Sequence, residues 1–246
     1  MKSLYKTRED GSLFLDKSFT YHLGKYGQSG GHTVVVDSEG NETVYRYNAY
    51  FRLECIEYYY LEEGVQRLSY KDVFTWGEDP HLTLKNLLQL LDASSEEKQK
   101  PVTKKSFCYL LAKSKLDGKN NCISSERFFY DEWGNVSEVR EYGNITGRSK
   151  PLFLYNGLPD QSDAEYRCTK YIYSSDGKNR LCAKKTSTCK TKYFYHKDTN
   201  LLRLKIERYS DYTKRAFFFY NEENLLVRKV EDDGIGMKLS KLKGVT

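Results

Sequence analysis

The chain has 246 residues and a formal net charge of +6, from 40 Lys and Arg against 34 Asp and Glu. Its 22 Tyr, 12 Phe and only 4 Pro, with a mean hydropathy of −0.74, favour an all-β chain with a sheet wet on both faces over a thick apolar core. Cysteine is too sparse to indicate a disulfide scaffold, and the sequence shows no apolar run of membrane-spanning length and no N-terminal signal core.

In chain order, residues 1–77 read as a β-hairpin segment. Asp10-Gly11 turns the chain between Ser3–Thr7 and Ser12–Leu15, Gly27 and Gly30-Gly31 mark a loop, His32–Val36 is a strand, and Asp37–Asn41 turns the chain again. Tyr45-Arg46-Tyr47-Asn48 then starts a unit that recurs, with Leu53 opening its return strand, and Glu62-Glu63-Gly64 makes the next turn. Residues 78–104 change character. Leu84, Leu87, Leu88 and Leu91 fall at i, i+3, i+4 and i+7, which predicts one inserted amphipathic helix near 80–94, begun by Asp79-Pro80 and ended by Ala93-Ser94-Ser95. Its apolar stripe is expected to pack on the sheet. Residues 105–234 return to hairpins, looser over 148–165 and almost unbroken from Tyr166 onward, and 235–246 is a basic tail.

The recurring unit is an aromatic, a tyrosine two residues later, an Asp or Asn, a turn, and an aliphatic six positions past the tyrosine. Phe128, Tyr130, Asp131, Gly134 and Val136 form the best copy. Tyr45, Tyr47, Asn48 and Leu53 form another, as do Tyr193, Tyr195 and Leu201, and Phe218, Tyr220, Asn221 and Leu226. Tyr171 and Tyr173 head a looser copy. Strand side chains alternate faces, so the aromatic and its tyrosine share one. Asp, Asn and Gly then reverse the chain. Each unit is thus a hairpin, and a lone hairpin is marginal in water, so the copies must pair with one another. The expected fold is all-β: tandem antiparallel hairpins in a long, curved, twisted sheet. One detail resists a plain strand. Val136 and Val139, like Leu53 and Ile56, are three apart, which calls for a bulge or for a sheet covered on both faces.

Little in the sequence points to chemistry. Cys55, Cys108, Cys122, Cys168, Cys182 and Cys189 form no close ligand pair, and buried free thiols are expected. His22, His32, His81 and His196 form no i, i+4 metal pair, and His196 stands at a turn position. There is no nucleophile elbow and no phosphate-binding loop; Asp131, Glu132, Glu222 and Glu223 sit in turns. No catalytic residue, cofactor or metal is expected, and the chain reads as a non-enzyme. The basic stretch from Lys178 to Lys192 reads as a solvated strand face, not a nucleic-acid site.

The string Tyr130-Asp131-Glu132-Trp133-Gly134-Asn135-Val136, with its relatives at Tyr47, Tyr195 and Tyr220, resembles the YD-repeat, or Rhs, family. The resemblance covers about residues 41–57, 125–147 and 166–234. Departures are His196 and Ser174 after the tyrosine, and Phe51 and Asn224 in place of the turn glycine. The resemblance implies hairpins spiralling into a hollow shell around a polypeptide, often a C-terminal toxin of the same chain, while other members act in cell-surface adhesion. Neither the family's self-cleavage region nor a toxin domain has a counterpart here. The expectation is therefore a non-catalytic wall or scaffold segment of a secreted or surface polymorphic-toxin-like protein. Its partner would be a polypeptide cargo or the rest of a larger shell, with no nucleic acid and no membrane span. The alternative is a tyrosine-rich module that binds surface glycans or proteins. Tyr- and Gly-rich repeats of the membrane-occupation type are a rival at the level of fold, but they keep glycine more strictly.

Overall fold

The structure, a computed structural model, describes residues 2–77, 109–144, 147, 151–160 and 165–234. These residues are all-β, with no α-helix among them. The helix predicted near 80–94, with its flanking 78–104 segment, and the 235–246 tail lie outside the described residues.

The strands are β1 (Lys2–Thr7), β2 (Leu13–His22), β3 (Gly31–Asp37), β4 (Glu42–Tyr47), β5 (Leu53–Glu62), β6 (Val65–Gly77), β7 (Tyr109–Asp117), β8 (Cys122–Tyr130) and β9 (Val136–Gly143). They continue as β10 (Leu154–Tyr155), β11 (Leu158–Pro159), β12 (Tyr166–Tyr173), β13 (Leu181–Lys185), β14 (Lys190–Tyr195), β15 (Leu202–Arg208), β16 (Thr213–Tyr220) and β17 (Leu226–Asp232). Fifteen of them are hydrogen-bonded in chain order, β1 to β9 and then β12 to β17, while β10 and β11 pair separately. Short polar turns join most consecutive strands, and successive hairpins therefore give an antiparallel meander. Among the described residues β1 and β17 have one neighbour each.

The chain divides into two compact units. The first comprises Met1–Asn135 and Arg140–Tyr166, and the second Val136–Val139 and Arg167–Thr246. In the first, the buried apolar residues are Val44, Ala112, Tyr142 and Leu152, and Ser114 and Ser125 face each other, buried, with hydroxyls 2.8 Å apart. In the second, Leu204, Ile206 and Phe217 form a buried cluster, with Phe219 and Val230 packed against it. These five share one sheet face, because Leu204 pairs with Phe217 and Phe217 with Val230. Burying each of the three central side chains contributes roughly 1.5–3 kcal/mol.

The three-residue spacing is resolved by a bulge. Tyr47 pairs with Leu53, but Arg46 pairs with Cys55 and Tyr45 with Ile56, leaving Glu54 as the extra residue. Leu53 and Ile56 therefore face the same side as Tyr45 and Tyr47. The register shifts in the same place before Tyr173, Tyr195 and Tyr220. The aliphatic opposite Tyr195 is Leu202, not Leu201, because its loop is one residue longer. Cys55, Cys122, Cys182 and Cys189 are free thiols, as expected, but half-buried instead of fully buried.

Candidate functional site

Three of the five repeats end in a loop built on one Asx side chain. Oδ1 of Asp131 accepts N–H bonds from Trp133 and Asn135, both at 2.9 Å. The same fork recurs at Asp37, Asn48, Asp117 and Asn221, each holding the amides two and four residues on. The residue three past the Asx has positive φ: 81° at Gly134, 84° at Gly40, 66° at Asn120, 63° at Asn224 and 58° at Phe51. Phe51 and Asn224 thus keep the turn that the glycine would make, Phe51 against its steric preference. These carboxylates are committed to backbone amides. The Asn121 side chain, then its amide, hold Asp117 below the usual carboxylate range. At His196 no such fork forms, and Thr199 replaces it: its amide and hydroxyl both donate to the His196 carbonyl.

The aromatics form a second recurring device. Tyr195 Oη donates to the Leu181 carbonyl at 2.9 Å, and Tyr220 Oη donates to that of Leu202 at 3.0 Å. Tyr173 Oη donates to the Val136 carbonyl at 3.3 Å. Leu181 and Leu202 are the residues paired with Tyr173 and Tyr195. The hydroxyls of Tyr195 and Tyr220 therefore each cap the strand opened opposite the preceding tyrosine. In the first unit Tyr130 Oη donates to the Leu110 carbonyl and Trp76 Nε1 to that of Leu53, both at 2.7 Å. Leu110 is paired with Trp76 and Leu53 with Tyr47. Trp76 is thus a ladder member that sequence reasoning missed. The signal was Phe74-Thr75-Trp76, an aromatic-x-aromatic ending like Phe128-Phe129-Tyr130.

Tyr195→Phe should cost roughly 0.5–1.5 kcal/mol, since it strands the Leu181 carbonyl without altering the ring. Tyr193→Phe is the control: Tyr193 shares the face and has no hydroxyl partner among the described residues. Equal losses by chemical denaturation would show that the ladder bond contributes nothing of its own.

The other repeat-defining residues sit on this frame. Tyr171 and Tyr173, Tyr193 and Tyr195, and Phe218 and Tyr220 lie as i, i+2 pairs, all half-buried, on the ends of β12, β14 and β16. Tyr45 and Tyr47 end β4, Phe128 and Tyr130 end β8, and Leu53, Val136 and Leu226 open β5, β9 and β17. The structure spaces these groups along the ladder instead of gathering them into one pocket.

Beyond the ladder, a cleft of about 510 Å³ lies over Ala216 and Phe218 on β15–β17. Its charges pair internally, Lys205 with Glu207 at 2.8 Å and Lys229 with Glu231 at 2.5 Å. The bond to Glu207 raises Lys205, and the bond from Lys229 lowers Glu231. Neither shift brings a group toward neutral-pH proton transfer. Burial pushes the Cys122 thiol up to about 11, away from the reactive thiolate. His22 and His32 stack across β2 and β3 with ring centroids 4.2 Å apart. Burial first, then the charges of His22 and Arg46, lowers His32. Among the described residues no group of three or more His, Cys, Asp or Glu could hold a metal ion, and no helix is long and apolar enough to cross a membrane.

No protein-family model matches the chain, and no curated protein matches it. Among solved structures it is similar to a porin-like protein from Bacteroides uniformis, with a TM-score of 0.38 and 8% identity over 93% of this chain and 86% of that one. It is also similar to a Tc holotoxin pore from Photorhabdus luminescens carrying a TccC3 mutation, with a TM-score of 0.24, 10% identity, and coverage of 94% of this chain and 17% of that one. A TcdB2-TccC3-TEV structure gives a TM-score of 0.21, 11% identity, and coverage of 95% and 14%. At these scores no functional statement follows from the likeness.

Proposed function

We propose that the chain is a non-catalytic wall segment of a YD-repeat, or Rhs-type, β-shell that encloses or presents a polypeptide, at the cell surface or after secretion. The observation that carries the reading is the recurrence of three parts, the Asx loop, the bulge and the tyrosine-to-carbonyl bond, of which each repeat carries at least two and the Tyr220 copy all three. The four tyrosine bonds each fasten a hairpin to an earlier one, which is what a wall extended by repetition requires. The absence of chemistry belongs to the same proposal. The turn carboxylates hold amides, and four repeat tyrosines hold carbonyls. The curvature of a shell is likewise part of the proposal.

Native mass spectrometry of the protein from its own source tests this. A stoichiometric second polypeptide would support the container and identify its cargo. A bare chain of 28.8 kDa would overturn it.

A second reading, a glycan- or protein-binding surface module, is favoured by one cluster in the first unit. Tyr26, Tyr50 and Phe51 are 67%, 54% and 53% exposed. Their rings meet with Tyr26 at the centre, 5.8 Å from each neighbour. Exposed aromatic faces stack on sugar rings and pack into protein partners. A glycan array and a pull-down that show no ligand, or binding unchanged by Tyr26→Ala, would overturn this reading.

A further inference from the structure

In the second unit the register lines up cations across four adjacent strands. Lys170 of β12 pairs with Lys185 of β13, Lys185 with Lys190 of β14, and Lys190 with Arg208 of β15. Cross-strand partners share a face, so the four side chains form a straight row perpendicular to the strands. At a strand spacing of about 4.8 Å the row is about 14 Å long. All four residues are exposed. Lys170 reaches Glu138 at 3.3 Å. Lys185, Lys190 and Arg208 have no ion pair among the described residues.

Like charges directly opposite one another destabilise a sheet. Elsewhere this protein sets opposite charges across neighbouring strands, as with Arg215 and Asp232, Arg46 and Glu57, and Lys113 and Asp72. Lys185, Lys190 and Arg208 are the exception, three aligned cations with no acid across from them. An external anion would relieve the repulsion, and the row sets that anion's shape: linear, with charges repeating at about the strand spacing, laid across the strands. Lys192, two residues along β14 on the same face and exposed, adds a second tier.

We propose that the row Lys170–Lys185–Lys190–Arg208 binds a linear anionic polysaccharide, with a sulfate or carboxylate on successive sugar rings. The flanking residues on this face decide against two other polyanions. A single-stranded nucleic acid needs aromatic platforms beside the charges. Here the positions next to the row are Ile172, Ala183, Lys192 and Ile206, Phe194 beyond Lys192 is one exposed ring on this face and not a series of platforms, and Tyr171 and Tyr193 point to the opposite face. An acidic peptide that adds to the sheet would run along a strand edge, parallel to the strands and not along the row. The site does not depend on the chain being a shell wall, so a bare monomer in the cargo experiment leaves it standing.

The test is equilibrium binding of the full chain to heparin and to polygalacturonate, at about physiological ionic strength. Binding to heparin alone identifies sulfate as the anion, and binding to both identifies any regularly charged glycan; either supports the site. The double variant Lys185→Glu, Lys190→Glu should weaken binding more than tenfold. It should also melt no lower than the parent, because the like-charge row is broken. The control Lys2→Glu, Lys25→Glu makes the same change in net charge at two exposed lysines of the first unit, and should change affinity less than twofold. No binding to either glycan would overturn the proposal, as would equal losses in the two double variants, a lower melting temperature in the first, or tighter binding of single-stranded DNA.

Discussion

Gly143→Ala is expected to be severely destabilising. Gly143 ends β9 with φ of +91°, and a Cβ there would stand 2.3 Å from the Ile123 carbonyl oxygen and 2.9 Å from Ser124 Cα. Both obstacles are backbone, held in the neighbouring strand, so no side chain can swing away. Backbone strain of about 1–3 kcal/mol adds to an overpacking cost of similar size, which places the loss near 3 kcal/mol or above. For a chain of this length that corresponds to a drop in Tm of roughly 6–12 °C. Gly11→Ala is the matched comparison, since Gly11 has φ of +82° and nothing within 4 Å of the added Cβ. It should cost about 1 kcal/mol, from conformation alone. If thermal melts show equal losses at the two positions, the close approach at Gly143 is not what makes glycine necessary there.

Asp232→Ala should be the second large effect. Arg215 is 6% exposed and is held by a fork, Nε to Oδ1 at 2.7 Å and the second nitrogen to Oδ2 at 2.8 Å. Removing the carboxylate takes away the fork that holds this buried guanidinium. Breaking a fully buried pair costs about 3–5 kcal/mol, and the 36% exposure of Asp232 brings the expectation down to about 2 kcal/mol. The double variant Arg215→Met, Asp232→Ala should recover most of that loss, because it removes the buried charge along with its partner. A double variant as unstable as the single one would show that the loss comes from packing. The pair also has a pH signature. The bond from Arg215 depresses the Asp232 pKa below its ordinary value, with burial opposing it. The unfolded state therefore takes up the proton first. The pair's contribution is complete above the ordinary carboxylate pKa and is lost as pH falls through the folded one. In Asp232→Ala the acid limb of the stability curve should be correspondingly shallower.

Much of the architecture was legible in local patterns. The i, i+2 aromatics, the Asx after the tyrosine and the aliphatic that opens the next strand located the hairpin ends at 45–53, 128–136 and 218–226. They act within a few residues, through strand alternation and side-chain-to-amide bonds. Departures in residue type proved compatible with the same backbone: Phe51 and Asn224 take positive φ without a glycine. Where a loop used a different device, the reading slipped by one. The Thr199 hydroxyl replaces the Asx fork after Tyr195, and the paired aliphatic becomes Leu202. Trp76 was overlooked because it departs from tyrosine, although an indole N–H reaches a carbonyl as well as a phenol does.

By itself, the sequence determined the kind of element, the turn chemistry and the order in which hairpins follow one another, because each depends on neighbours along the chain. The tertiary structure alone decided which carbonyl each hydroxyl reaches, which charges meet, and that four cations of the second unit stand in one row. These depend on register between strands, and every bulge resets that register by one residue. Residues far apart in sequence, such as Lys170 and Arg208, are brought into line only after the intervening strands have paired.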